Sequence, residues 1–458
     1  MARIQAVEHS FAESPPPAGS GPSIRGSEAA EGIRHDPSSE EAGTAARAVQ
    51  EAGTAARTAE EAEKARSVDA DVIGAVLRTA RAVLTERVAE ASEIDASFAG
   101  ELAGRVRDFT LDGGKRMRPR LLWWGMRACG APDAGATAAA LRLGVALELI
   151  QTCALIHDDV MDRSRLRRGR PAVHVQLAGR AGLPPESERG SAFGASAAVL
   201  AGDLALVWAD DTVAETALSA HVRRRVGAVW RSMRTEMVAG QYLDLHGQAT
   251  GGGSAARAIR TACLKSALYS VERPLAIGAA LAGADERTTA ALRSAGRYAG
   301  IAFQLRDDLL GVFGDPERTG KPSGDDIREG KPTYLLAVAR ARAEAAGDEG
   351  ALTALDRAVG NARLTERDLA DVRDVFEFTG ARALVEREAE RLGDHAVRRL
   401  GEAVDVDAHG GRQLLGLLRA VAEDRSGGAQ AATVETLEHG RRAVAARVLA
   451  ATEGGNSR

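Results

Sequence analysis

The sequence predicts an all-α protein. Apolar residues recur at helical spacing from Asp69 onward, no convincing period-two alternation marks a strand, and Pro and Gly clusters separate roughly ten or more helices. Residues 1–66 read differently. Pro15-Pro16-Pro17, scattered Gly and Ser, and few large apolar residues predict a disordered arm. Within it Ala42-Gly43-Thr44-Ala45-Ala46-Arg47 repeats as Ala52-Gly53-Thr54-Ala55-Ala56-Arg57, and the alanine and glutamate of Glu40 to Arg66 favour transient helix. The arm is read as a tolerated extension, and residues 67–458 as one domain of above-average size.

Along that domain, Gly113-Gly114-Lys115-Arg116-Met117-Arg118-Pro119 offers two flexible glycines and three cations ahead of an apolar helix beginning near Leu121. Phosphate suits such a loop. The next run, Ala138 to His157, is apolar at nearly every position except Arg142, Glu148, Gln151 and Thr152, so it predicts a helix buried most of the way round. Pro132 and Asp133 mark its start. It ends on Asp158-Asp159-Val160-Met161-Asp162, and a second run, Ala295 to Leu305, leads into Asp307-Asp308. Loops are expected over Gly179–Gly190, Ala249–Ser254 and Gly347–Gly350.

Carboxylates a few Å apart repel, and burial raises their pKa unless an opposite charge compensates. Asp158 and Asp162, four residues apart, share one helix face, with Asp159 turned aside. An oxygen-only donor set without Cys or His favours Mg²⁺, its coordination completed by water and phosphate. A solvated acidic helix end is the plain alternative for either cluster alone; two clusters on two buried helices reduce its weight. Arg163-Ser164-Arg165-Leu166-Arg167-Arg168-Gly169-Arg170 follows the first cluster directly. By itself it suggests a nucleic-acid patch or a solvated loop, but beside metal-binding carboxylates its guanidinium groups suit a polyphosphate. Thr319-Gly320-Lys321-Pro322 is no P-loop, because Pro322 stands where Ser or Thr is required.

These strings carry a family resemblance. Leu155 to Asp162, an Asp-Asp-x-x-Asp pattern followed by Leu166-Arg167-Arg168-Gly169-Arg170-Pro171 and His174, resembles the first aspartate-rich motif of trans-isoprenyl diphosphate synthases. Phe303 to Gly311, with Gly314-Asp315 and Thr319-Gly320-Lys321, resembles the second, and Gly113 to Pro119 the homoallylic-substrate motif. Their order and spacing match, the resemblance spans about residues 68–450, and the chain looks most like actinobacterial geranylgeranyl diphosphate synthases.

The resemblance implies an isoprenoid synthase type I bundle around a central cavity, a cytoplasmic homodimer, and isopentenyl diphosphate and allylic diphosphates as substrates. Asp158, Asp159 and Asp162 would hold two Mg²⁺ ions, and Asp307 with Asp308 a third. Arg167, Lys265, Ser266, Gln304 and Lys321 match positions that contact the allylic substrate; Lys115, Arg118, Gln151 and Arg168 match those that bind isopentenyl diphosphate. Asp158, Asp162, Lys265, Gln304, Asp307 and Lys321 would carry the catalysis. Ser266 keeps the hydroxyl of the family's usual Thr, whereas Gly311 stands where the family often has Asp, with Asp315 a candidate replacement. The implied chemistry is ionisation of the allylic diphosphate, attack by the isopentenyl double bond, and proton loss inside a closed apolar site. The segment Gly314 to Gly330 is the expected moving part.

Within the same resemblance, Cys153 and Ala154, five and four residues before Asp158, form a small floor that admits a product of twenty carbons, with twenty-five the rival and Ile150 and Leu147 the next obstacles. His157 is read as structural, His174 as orienting the basic loop, Trp123 and Trp124 as core or dimer anchors, Asp244 as orienting Lys265, and Lys331 as a solvated loop lysine, with support of the diphosphate near Lys321 as its alternative. A class I terpene cyclase and a noncatalytic partner subunit are the competing functions.

Composition agrees. A net charge of −4 argues against general nucleic-acid affinity, and three cysteines, Cys129, Cys153 and Cys263, read as core residues of a reducing compartment. No uninterrupted apolar stretch of transmembrane length and no signal-peptide segment is expected.

Overall fold

The computed structural model describes residues 56, 58–130, 135–251, 253–314 and 323–423. It is built from helices, as the periodicity predicts. The first, α1 (58–70), overlaps the end of the expected arm, and it is tied down. Glu61 is buried and accepts from the Thr137 amide at 2.8 Å, Ala65 is fully buried, and Asp69 accepts from Trp123 Nε1 at 3.0 Å and from Arg127. The packed part of the chain therefore begins before residue 67. Beside these carboxylates only small apolar side chains of this helix, Ala65 and Val68, reach the core, which is why its sequence reads as a loose arm.

After α2 (Val72–Ile94) and a short helical and π-helical passage come α3 (Gly104–Leu111), α4 (Met117–Ala128) and α5 (Ala136–Met161). The hydrophobic run of α5 is explained by its central position, with Leu143, Leu147, Leu149 and Ile150 buried. A two-stranded hairpin follows, β1 (Leu166–Arg167) and β2 (Arg170–Pro171), pairing Arg167 with Arg170. Its connecting residues Arg168 and Gly169 both have positive φ, 55° and 72°, as a type I′ turn requires. This is the one strand pair among the described residues, too short for a sequence pattern to show. The chain continues through α6 (Val173–Arg180), α7 (Glu188–Glu215), α8 (Ala220–Thr250), α9 (Ala255–Ala262), a π-helix (Cys263–Glu272), α10 (Arg273–Leu281) and α11 (Glu286–Phe313). Beyond residues 315–322 lie α12 (Asp325–Arg328), α13 (Tyr334–Ala346), α14 (Glu349–Ala358), α15 (Glu366–Phe378), α16 (Ala381–Ala403) and α17 (His409–Ala422). Each expected loop spans a helix junction but is shorter than expected: α6 runs to Arg180 and α7 starts at Glu188, α8 runs to Thr250, and α14 starts at Glu349.

Two helices, α5 and α7, are long and apolar enough to cross a membrane, contrary to the expectation that none would be. Most of α5 is buried in the bundle. Helix α7 instead exposes Phe193, Val199, Leu200 and Val207 on its surface.

The π-helix is held by close backbone contact. A Cβ at Gly240 of α8 would stand 2.2 Å from the Lys265 nitrogen, and Cβ atoms at Gly296 and Gly300 of α11 would meet Glu272 Cα at 2.9 Å and Ala267 O at 2.7 Å. Glycine at these positions lets both neighbours approach. Its last residue, Glu272, is fully buried among Arg297 (2.8 Å), Arg293 (3.0 Å) and Arg273 (3.3 Å), and Arg273 also donates to Glu236. Burial pushes the Glu272 pKa up, but the three arginines outweigh it and hold it below the ordinary value. A depressed carboxylate contributes stability above its unfolded pKa of about 4.3 and loses it as pH falls through the folded value. Replacing Glu272 with Gln removes the buried carboxylate that three arginines share, of which Arg273 keeps Glu236, and the expected cost at neutral pH is about 3–5 kcal/mol in denaturant unfolding. The deficit should shrink as the medium is acidified below about pH 4; a neutral-pH loss under about 1 kcal/mol would show that the cluster is not a buried ionic tie.

Candidate active site

The acidic end of α5, the C-terminal part of α11, the π-helix and the basic hairpin converge. Asp158, in the last turn of α5, accepts from Lys265 Nζ at 3.2 Å and Gln241 Nε2 at 3.1 Å, and lies 3.5 Å from Arg167. Asp244 holds Lys265 from the other side at 2.6 Å, the orienting role expected of it. Asp159 is buried and receives Arg167 Nε at 2.8 Å. Asp162 caps α5, its side chain 3% exposed, with Oδ2 3.3 Å from Lys331 and Oδ1 buried without a hydrogen-bond partner among the described residues.

Ionisation differs along the cluster. Burial raises the Asp158 pKa, but Lys265, Lys331 and Arg167 outweigh it and the net shift is downward; burial prevails at Asp162, whose pKa is raised. Burial lowers the Lys265 pKa, yet Asp158 and Asp244 more than restore it, so it stays charged. Lys331 is not the solvated lysine the sequence suggests. It contacts Asp162, Asp326 at 3.5 Å and Glu329 at 2.5 Å, and these carboxylates hold its pKa above the ordinary value against burial.

Across from α5, Asp307 and Asp308 lie inside α11 rather than at its end. Asp307 is exposed. Asp308 points inward, accepting from Gln304 Nε2 at 2.9 Å and the Tyr334 amide at 3.4 Å, and burial pushes its pKa well up. Gln304 thus touches Asp308, and Ser266 is half-buried beside Lys265. Lys321 and Asp315 lie outside the described residues, as do residues 315–322 of the segment read as the moving part. Among the described residues no three His, Cys, Asp or Glu side chains converge on one point. A metal ion would take one or two carboxylate oxygens here and fill its shell from phosphate and water, the habit of Mg²⁺. The orphaned Asp162 Oδ1 and exposed Asp307 fit that pattern.

The hairpin divides its arginines. Arg167 ends β1 and reaches Asp158 and Asp159, whereas Arg168, turned away by its left-handed backbone in the hairpin turn, reaches the Asp112 carbonyl and lies 5.5 Å over the Phe109 ring. Gly113 and Gly114, at φ 65° and 87°, leave room for the Arg168 guanidinium, 3.2 Å from where a Gly114 Cβ would be. Exposed Lys115 follows. Arg118 donates to Ser270 at 2.7 Å and sits 4.2 Å over the Tyr269 ring, whose hydroxyl donates to Gln151. Arg116, counted by sequence among the phosphate cations, is instead buried in a left-handed conformation and paired with Glu148.

Tyr269 and Ser270 carry no sequence signal of their own, since each gains its place through a partner distant in the chain, Gln151 and Arg118; Asp326 and Glu329 read as ordinary loop acids, and only the reach of their neighbour Lys331 to Asp162 ties them to the site. His157 is structural, as expected: Nε2 lies 3.1 Å from the Val199 carbonyl, in space left by Gly202. His174 lies on α6 with Nδ1 buried and without a hydrogen-bond partner among the described residues. Trp123 and Trp124 are core residues.

Paired aspartates facing cations, set over a buried apolar helix, define a site for an ionised head group with a hydrocarbon tail. The chain belongs to the polyprenyl synthetase family, whose model matches residues 101–372, and it is a trans-prenyltransferase. It is 32% identical over 320 residues to a geranylfarnesyl diphosphate synthase of Aeropyrum pernix, covering 69% of this chain and 92% of that one. It is 34% identical over 295 residues to a (2E,6E)-farnesyl diphosphate synthase of Mycobacterium bovis, covering 63% and 74%. A solved geranylgeranyl pyrophosphate synthase from Corynebacterium glutamicum, complexed with isoprenyl diphosphate and magnesium, superposes with a TM-score of 0.69 at 38% identity, covering 76% of this chain and 98% of that one. Membership sets aside the cyclase reading.

Proposed function

We propose that the protein condenses isopentenyl diphosphate with an allylic diphosphate (dimethylallyl, geranyl or farnesyl), using Mg²⁺, to give all-trans geranylgeranyl diphosphate. The observation that carries this is the division of cations by the hairpin. Arg167 and Lys265 stand at the Asp158 cluster, where an allylic diphosphate is to leave. Arg168, Lys115 and Arg118 gather on the Gly113–Gly114 side with Gln151, suited to a second diphosphate that stays intact. A cyclase needs only the first set.

Asp158, Asp162 and Asp307 would hold the metal, with Asp159 and Asp308 behind them; bound Mg²⁺ supplies positive charge to a departing diphosphate. Lys265, fixed by Asp244, offers a charged donor in place before the bond breaks, so little reorganisation is needed. Lys321 is assigned the same duty by resemblance. Small side chains at Cys153 and Ala154 favour twenty carbons over fifteen, and the same smallness, with the name of the Aeropyrum relative, keeps twenty-five carbons as the second reading. The exposed apolar face of α7 suits a second copy of the chain, and the unpaired cysteines suit the cytoplasm.

The test is incubation of the purified protein with isopentenyl diphosphate, each allylic primer and Mg²⁺, with products separated by chain length. Geranylgeranyl diphosphate is the expected main product. A farnesyl or geranylfarnesyl product would overturn the length, and absence of condensation with every primer would overturn the activity.

A further inference from the structure

Residues 113–116 turn the chain from α3 into α4 through left-handed backbone at Gly113, Gly114 and Arg116, the last at φ 47°. Glycine takes such a conformation freely, whereas arginine takes it at a cost and needs its surroundings to hold it there. Its own side chain supplies the hold. Arg116 is the N-cap of α4; its Nη1 donates to the Thr110 carbonyl at 2.8 Å and to Glu148, and its Nη2 donates to the Leu111 carbonyl at 2.8 Å. Those carbonyls end α3 and lack the partner that a continuing helix would give them, so a cation suits them. Glu148 belongs to α5. One guanidinium thus fastens three helices around the loop that carries Lys115.

We propose that Glu148, acting through Arg116, is a positioning residue for isopentenyl diphosphate, holding the Gly113-Gly114-Lys115 loop in the shape that receives this substrate. The proposal rests on the reading of that loop, with Arg118, Gln151 and Arg168, as the site of the second diphosphate.

Arg116 and Glu148 are 5% and 7% exposed, so the pair sits behind the loop and touches no substrate. The residues it supports face the ligand side. Lys115 directly precedes Arg116, Arg118 stands two residues after it, and Gln151 lies three residues beyond Glu148 on α5. Arg168 completes the set, its guanidinium 3.2 Å from where a Gly114 Cβ would stand. Charge gives Glu148 a second duty. Burial lowers the Arg168 pKa, Arg116 lowers it further, and Glu148 opposes both. Glu148 therefore neutralises the one cation of the group that a diphosphate does not reach. An apolar pair of similar volume would serve the core as well or better; what distinguishes the charged pair is its grip on the α3 carbonyls beside the loop. The Thr110 and Thr152 hydroxyls, 2.9 Å apart, tie α3 to α5 independently, so loss of the pair should loosen the loop without releasing the helices.

The experiment is steady-state kinetics of the full chain, with isopentenyl diphosphate and the allylic primer varied in turn. Glu148→Gln keeps the shape and removes the charge. Its KM for isopentenyl diphosphate should rise about tenfold or more, while kcat and the KM for the primer stay within about twofold. Arg116→Gly keeps the left-handed backbone and removes the guanidinium, and it should show the same split. Because the two residues act as one unit, E148Q/R116G should be no worse than the poorer single variant. An unchanged KM for isopentenyl diphosphate in folded E148Q overturns the proposal, as does an equal rise in both KM values, the sign of a merely structural pair. If E148Q does not fold, E148Q/R116G, which strands no charge, decides by the same readings. Failure of the underlying reading looks different: the rate of the unaltered chain would not depend on isopentenyl diphosphate, or Lys115→Ala would leave its KM unchanged.

Discussion

Replacing Asp158 with alanine is expected to lower Mg²⁺-dependent release of diphosphate by about 10²–10³-fold in kcat, the loss typical of removing one preorganised electrostatic group. Asp158 is the meeting point of the site. Lys265, Gln241 and Arg167 all approach its two oxygens, so its removal takes away a metal-binding carboxylate and unfastens two diphosphate-binding cations together. Folding should survive, because Lys265 keeps Asp244 and Arg167 keeps Asp159. The loss should therefore appear in turnover while the thermal midpoint stays close to that of the unaltered chain. Undiminished diphosphate release from Asp158→Ala would sink the assignment of this cluster to the chemistry.

What could be read in the sequence were features whose cost is local. Adjacent carboxylates at the end of a buried helix are expensive wherever they occur, so Asp158, Asp159, Asp162, Asp307 and Asp308 announce a cation before any fold is known. The near-continuous hydrophobicity of Ala138 to His157 likewise has one economical explanation, a helix surrounded by others. Features that depend on how helices cross are not legible this way. Gly240, Gly296 and Gly300 look like three ordinary glycines, yet together they admit the π-helix that presents Lys265. Arg116 resembles its neighbours Lys115 and Arg118 in type, and only the left-handed turn that buries it on Glu148 separates it from them. The same holds for α1, held to the bundle by Glu61 and Asp69 through residues far along the chain.

The floor below the metal site gives the other large effect. Ala154 lies four residues before Asp158 and shares its helix face, just over one turn or about 6 Å below it. Cys153 points elsewhere. Its Sγ lies 3.7 Å from His157 Nδ1, on the side where His157 meets α7. A phenyl ring at 154 therefore stands in the path of a tail growing down α5 from Asp158, and Ala154→Phe is expected to shift the main product from twenty carbons to fifteen or fewer. A ring at 153 must first displace His157 or α7, and overpacking of that kind costs about 1–3 kcal/mol. Cys153→Phe should accordingly shorten the product less and lower the thermal midpoint more. Further down, fully buried Ile150 lies eight residues, about 12 Å, before Asp158. Ile150→Ala should release the next obstacle and add longer products. Chromatography of the dephosphorylated products decides between the two positions: chain length unchanged in Ala154→Phe, or a larger shortening in Cys153→Phe, would place the floor on the α7 side of the helix instead.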